Sequence, residues 1–179
     1  MPRLRLFVPL ALFLALAALF WKGLSLDPNY MPSALENRPL PAFNASTLEG
    51  GTVSDKDLPR GGPLLLNVWA TWCPSCAAEH AYLNDLSRRG VRIYGINYKD
   101  DAAAARRWIQ SKGNPYIANI LDPSGLIGLD LGVTGAPETY LVDGAGIVHL
   151  RHQGPVDERV WRTVFEPALA SLGRPESPR

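Results

Sequence analysis

The sequence predicts an α/β fold built on a mixed β-sheet, and three features predict it. A short, almost wholly apolar run, Leu64–Ala70, passes directly into a stretch rich in Ala, Leu and Glu, as a strand buried on both faces would feed a helix. Strand-like and helix-like segments then alternate as far as Leu131, the pattern that produces parallel pairing. Two further strand-like runs flank Asp143-Gly144-Ala145-Gly146 and add an antiparallel hairpin.

The elements follow in chain order. Ala42–Leu48 and Gly51–Val53 flank Glu49-Gly50 and read as a hairpin ahead of the core. After the Leu64–Ala70 strand, Ala77–Arg88 is a helix with Ala78, Tyr82, Leu83 and Leu86 on one face. Val91–Asn97 is a second buried strand, and Asp101–Lys112 a helix whose acidic start and basic end suit its dipole. Tyr116–Leu121 is a brief extended piece, and Asp122-Pro123-Ser124-Gly125 turns into a short helix ending at Leu131. Thr139–Val142 and Ile147–Arg151 form the hairpin, and Asp157 caps a last helix running to about Leu172.

The chain's two cysteines stand together in Trp72-Cys73-Pro74-Ser75-Cys76. A disulfide that stabilises a fold usually closes a long loop, and a two-residue loop offers little of that. A reversible dithiol is the better reading. Cys73 falls where strand turns into helix, and Pro74 suits the first helical position, where its missing N–H is not needed. Unpaired amides and the dipole at that end favour the Cys73 thiolate, and Cys76 lies almost one turn on, placed to resolve a mixed disulfide. Three other readings compete. Zinc needs about four ligands, and His80, His149 and His152 show no second ligand spacing. An inert structural disulfide is found in small exported domains. A peroxidase would carry Thr three residues before its reactive thiol, where this chain has Ala70.

Arg3 and Arg5 precede an apolar run over residues 6–21 that Lys22 closes. Sixteen residues is short of the roughly 20 that span a bilayer and near the length of a signal-peptide core, so both an anchor and a cleaved signal are open. Ala15-Leu16-Ala17 lies inside the run and Phe20-Trp21-Lys22 resembles an interfacial anchor, which favours a retained helix with residues 1–5 in the cytoplasm and the remainder exported. Residues 22–38, with Pro28, Asn29, Pro32 and Asn37, read as a linker, 39–173 as one domain, and 174–179 as a tail. Three of the 18 basic residues lie in the first 22, leaving 15 against 17 acidic ones; a net −2 predicts no nucleic-acid partner.

Two residues outside the dithiol invite a role. Pro137 precedes a strand-like run, and a cis bond after Ala136 would bring the backbone in opposite Cys73, although X-Pro bonds are cis only about one time in twenty. Glu79 follows Cys76 by three residues; spacing allows it to face the thiols, but by residue type it reads as an ordinary solvated helix glutamate.

Trp72-Cys73-Pro74-Ser75-Cys76 with Ala78-Glu79-His80, Gly95-Ile96-Asn97-Tyr98-Lys99-Asp100, Asn114-Pro115-Tyr116, Gly128–Val133 and Gly135-Ala136-Pro137-Glu138-Thr139 resemble the membrane-anchored thioredoxin-like proteins of cytochrome c maturation, the CcmG/DsbE family. The resemblance covers about Leu40 to Val156. It implies a thioredoxin-like fold with an N-terminal hairpin extension and a single transmembrane helix, and Pro137 as a cis-proline. It implies a periplasmic, inner-membrane reductase of the haem-binding Cys-x-x-Cys-His disulfide of apocytochrome c. The electron donor would be a DsbD/CcdA-type membrane protein and other maturation proteins would be partners. No metal or cofactor is implied beyond the Cys73–Cys76 disulfide. Trp72, Pro74 and Pro137 would support the site, and Glu79 and Glu138 would be acidic residues near the dithiol that oppose the helix dipole. Ser75 and Thr134 depart from the family pattern, which often has Thr and an aromatic residue there. A general thiol exchanger or oxidase of the same fold, or a docking subunit of the assembly machinery, are the competing functions.

Overall fold

The computed structural model describes residues 2–24, 35–58 and 61–172, which fall into two compact units divided after Tyr30. In the first unit, helix α1 spans Pro2–Leu24, and its side chains from Val8 to Trp21 are exposed. Among the described residues no helix is long and apolar enough to cross a membrane.

The second unit contains, in chain order, β1 (Arg38–Pro39), β2 (Asn44–Ser46), β3 (Thr52–Ser54), β4 (Leu64–Trp69), α2 (Pro74–Arg88), β5 (Ile93–Tyr98), α3 (Ala102–Lys112), β6 (Asn119–Asp122), α4 (Leu126–Leu131), β7 (Glu138–Val142), β8 (Ile147–Gln153) and α5 (Glu158–Val160). A π-helical turn, Trp161–Phe165, joins α5 to α6 (Glu166–Leu172). Six strands form one sheet in the order β1-β8-β7-β4-β5-β6. Pairing is parallel from β4 through β5 to β6, where helices make the crossovers, and antiparallel from β4 through β7 and β8 to β1. This is the thioredoxin-like mixed sheet.

Because side chains alternate across a strand, the central β4 supplies two cores. Leu65 and Trp69 join Leu141, Leu83, Phe165 and both cysteines on the α2 face. Leu64, Leu66 and Val68 join Tyr140, Val142 and Leu131 on the other. Every residue of β4 is buried, and each large apolar side chain so removed from water contributes roughly 1.5–3 kcal/mol. The one polar side chain in β4, Asn67, lies on the α2 face and is fully buried.

Two features differ from the sequence reading, and one lies beyond test. The expected linker over 22–38 runs partly outside the described residues, but its end belongs to the sheet: Arg38 pairs with Val148, and Asn37 N–H donates to the Val148 carbonyl at 2.7 Å. The tail 174–179 lies outside the described residues. The last helix is capped by Asp157, whose Oδ1 accepts Val160 N–H at 2.7 Å, yet it widens into the π turn, where the buried Trp161 and Phe165 rings stack at 6.1 Å. A reading at 3.6 residues per turn carries no sign of that widening.

The β2–β3 hairpin closes the open side of β6. Thr47 bridges Ile120, Leu48 N–H donates to the Asn119 carbonyl, and Glu49 accepts both the backbone N–H (3.2 Å) and the Nδ2 (3.0 Å) of Asn119. Unpaired edge groups are thereby satisfied rather than offered to another chain.

Candidate active site

Cys73 is the N-cap of α2, with extended backbone, and Pro74 is the first helical residue, as its lack of an N–H favours. Cys73 and Cys76 are joined as a disulfide across 5.3 Å between Cα atoms, and both residues are nearly fully buried. The Cys76 N–H donates to Cys73 Sγ at 3.0 Å. This amide and the helix N-terminus are placed to stabilise negative charge on Cys73 once the bond is reduced.

The turn ahead of Cys73 is fixed from β5. Asp100 accepts the Thr71 N–H at 2.6 Å and the Thr71 hydroxyl at 2.7 Å, and also takes Asn97 Nδ2 at 2.8 Å. Trp72 stays half exposed and donates its Nε1–H to the carbonyl of Lys99 at 3.0 Å. Lys99 reaches this position with φ +47°, the left-handed region. In the sequence Asp100 stands only as the last residue of the Gly95–Asp100 motif, with no role attached; the signal for one was a carboxylate immediately beyond a strand end.

Glu79 is not a solvated helix glutamate. It is 2% exposed, on the same face of α2 as Cys76, three residues on. Its Oε1 accepts Asn67 Nδ2 at 3.0 Å and its Oε2 accepts Val156 N–H at 2.7 Å. Asn67 also donates to Thr139 Oγ1 at 3.0 Å and receives the Tyr116 hydroxyl at 2.8 Å. Burial pushes the Glu79 carboxyl up to about 7, against the smaller lowering effect of the Val156 and Asn67 bonds. A single Asn inside the Leu64–Ala70 run was the legible sign that a polar partner had to meet it.

Glu138 and Pro137 share a groove with Ser75, which stands between the two cysteines in sequence. The Ala136–Pro137 bond is cis, as the resemblance implied. Ser75, the Thr134–Glu138 segment, Gln153 and Gly154 line an open groove of about 320 Å³. The two departures from the family pattern, Ser75 and Thr134, therefore both line this groove. Glu138, however, shares its strand face with Tyr140 and Val142, away from α2 and Glu79. Its carboxylate accepts Arg151 Nε and Nη2, both at 2.9 Å, and the Tyr140 hydroxyl at 2.8 Å. Burial alone would push Glu138 up, but these bonds and those from Thr134 outweigh it and hold the carboxyl below its ordinary value. Its charge is balanced by Arg151, whereas Glu79 is met by a side-chain amide and a backbone N–H, neither of them a cation. Arg151 was legible only as the end of a hairpin strand.

The histidines are taken up separately. His80 Nε2 meets the Gly113 carbonyl at 2.9 Å and its ring packs on Trp108 and Tyr116. His149 pairs with Asp143 at 2.7 Å, and His152 stands edge-on to Phe165.

This arrangement can exchange disulfides: two sulfurs at bonding distance, one on a helix N-terminus, the other one turn inside on the same buried helix face as a carboxylate of near-neutral pKa. Comparison with known proteins agrees. The Redoxin family model matches residues 35–167. The chain is 52% identical over 163 residues to the thiol:disulfide interchange protein DsbE of Pseudomonas fluorescens biotype C, covering 90% of this chain and 91% of that protein. It is 48% identical over 174 residues to DsbE of Escherichia coli (strain K12), covering 93% and 94%. Its fold matches a DsbF homologue from Corynebacterium diphtheriae with TM-score 0.65 and 22% identity, over 79% of this chain and 96% of that one. A secreted Mycobacterium tuberculosis disulfide oxidoreductase matches with TM-score 0.61 and 23% identity, over 73% and 96%. The chain belongs to the DsbE family of thiol:disulfide interchange proteins, thioredoxin-like disulfide oxidoreductases within the Redoxin family.

Proposed function

We propose that this protein is a periplasmic reductase of apocytochrome c, acting on the disulfide of the haem-binding Cys-x-x-Cys-His motif. The Cys73 thiolate attacks one sulfur of the substrate disulfide, forming a mixed disulfide and expelling the other substrate sulfur as a thiolate. Cys76 gives up its proton and attacks Cys73 Sγ, releasing the second substrate thiolate and leaving the Cys73–Cys76 disulfide. Two electrons pass to the substrate, and a DsbD/CcdA-type membrane donor returns them. Glu79 is the group that takes the Cys76 proton. Other cytochrome c maturation proteins are further partners, and the exchange needs no group beyond the two sulfurs.

The observation that carries this reading is the buried Cys73–Cys76 pair with Glu79 one turn further along the same helix face. The Gly135–Thr139 motif shared with cytochrome c maturation proteins supports the choice of substrate. For the location, the sequence supports an inner-membrane anchor: Arg3, Arg5 and Lys22 flank the apolar run over residues 6–21, and the side chains from Val8 to Trp21 stand exposed. Fractionation should leave the full chain in the membrane after alkaline washing.

The test of function is Cys76→Ser in cells making c-type cytochromes. A mixed disulfide between Cys73 and an apocytochrome c should accumulate, and haem attachment should fail. A general exchanger would trap unrelated exported proteins instead. A docking subunit would keep haem attachment intact with either cysteine replaced.

A further inference from the structure

The wall of the groove opposite Ser75 has little apolar packing of its own. Between Leu131 and Pro137 only Val133 and Ala136 pack on the cores, one on each face of the sheet, and the other residues are Gly and Thr. What gathers this segment is Glu138. Its Oε1 accepts the Thr134 N–H at 2.9 Å, the Thr134 hydroxyl at 2.8 Å and the Gly135 N–H at 3.2 Å. The same carboxylate receives both nitrogens of the Arg151 fork, and the two side chains are 1% and 7% exposed. Arg151 Nη2 also reaches Thr134 Oγ1 at 3.3 Å, and Gln153 Nε2 reaches it at 2.7 Å. A buried carboxylate keeps its charge, and hence its strongest acceptor strength, only when a partner balances it.

We propose that Arg151 is a positioning residue for substrate docking: by balancing Glu138 it lets that carboxylate draw in Thr134 and Gly135, and so sets the shape of the groove wall that ends at Pro137 and receives the cysteine-bearing segment of a polypeptide substrate. The proposal rests on the reductase reading above. Arg151 and Glu138 lie on the sheet face away from Glu79 and bond to neither cysteine, so the sulfur chemistry itself is independent of them. A small disulfide needs no groove wall. A peptide disulfide does.

The experiment follows the oxidation of the reduced full-length protein, in detergent micelles, by tryptophan fluorescence. The oxidants are an oxidised peptide carrying Cys-x-x-Cys-His and, separately, a small aromatic disulfide, each at rising concentration. Arg151→Met should raise the half-saturating peptide concentration about tenfold while the limiting rate, the rate with the small disulfide and the equilibrium constant for exchange with glutathione stay within twofold of wild type. Thr134→Val leaves the ion pair whole and should shift peptide half-saturation the same way, by about threefold, again sparing the small disulfide. Arg151→Lys keeps the charge without the fork and should fall between wild type and Arg151→Met. If Arg151→Met does not fold, Thr134→Val and Arg151→Lys decide the matter. Equal slowing with both oxidants, or unchanged peptide saturation, overturns the proposal. A wild-type protein unable to reduce the peptide at all overturns the reductase reading instead.

Discussion

Two carboxylates are buried against the same sheet, one on each face, and they are held there in opposite ways. Glu79, on the cysteine face, meets only neutral donors: an asparagine amide and a backbone N–H. Glu138, on the other face, meets a guanidinium. Burial raises proton affinity in both; only Glu138 has a charge beside it to reverse that. The resemblance treats the two as a matched acidic pair near the dithiol, but their partners divide them into a group that can exchange a proton near neutral pH and one that stays ionised as scaffold. The charge of a carboxylate's partner, more than its place in a motif, decides which it is.

The strongest way to break this contrast is to remove the charge that separates the two. Arg151→Met leaves Glu138 buried and unpaired and should cost about 3–5 kcal/mol of stability at pH 7, read by urea unfolding. The folded Glu138 carboxyl lies below its unfolded value, so its contribution is present above the unfolded pKa and is lost as pH falls through the folded one. Wild type should therefore lose stability on acidification more steeply than Arg151→Met, in which Glu138 can take up a proton. A cost below about 1 kcal/mol at pH 7 would put Glu138 among ordinary surface ion pairs and erase the distinction.

Glu79 predicts the opposite slope. Its folded pKa of about 7 lies above the ordinary glutamate value of 4.5, so the folded protein binds the extra proton between them. The stability this gives is complete below pH 4.5 and declines as pH rises through 7, by about 3 kcal/mol at pH 8. Glu79→Gln should abolish that decline, although it also leaves the Val156 N–H or Asn67 facing an amide donor and lowers stability at every pH. In the reaction, release of substrate by Cys76 should quicken as pH rises through about 7 in wild type and lose that dependence in Glu79→Gln. An unchanged stability slope in the variant would assign the near-neutral titration to another group.

Much of this was legible in the sequence because it is local. The strand-to-helix passage at Leu64–Arg88 and the place of Cys73 at the helix entrance depend on neighbours within one turn, and the structure has them there. The burial of Glu79 was not local: it depends on Asn67, Tyr116 and Val156, which lie 12, 37 and 77 residues away in sequence. The charge beside Glu138 was hidden for the same reason, since Arg151 reaches it only across the β7–β8 hairpin. Periodicity assigns a residue to a face of an element. It does not say which charge will be waiting there.

The smallest effect tests how Glu79's neutral surroundings are kept in place. The Tyr116 hydroxyl, whose pKa burial pushes well above its ordinary value, stays protonated and donates to Asn67 Oδ1, which turns the Asn67 amide toward Glu79 and Thr139. Tyr116→Phe should cost about 1 kcal/mol at pH 5, where Glu79 is protonated. It should also move the midpoint of the Glu79-dependent decline slightly upward, since a loosened Asn67 lowers the carboxyl's proton affinity less. Were stability to fall while the midpoint stayed fixed, burial alone would set the proton affinity of Glu79, and Asn67 would be a packing residue that happens to lie beside it.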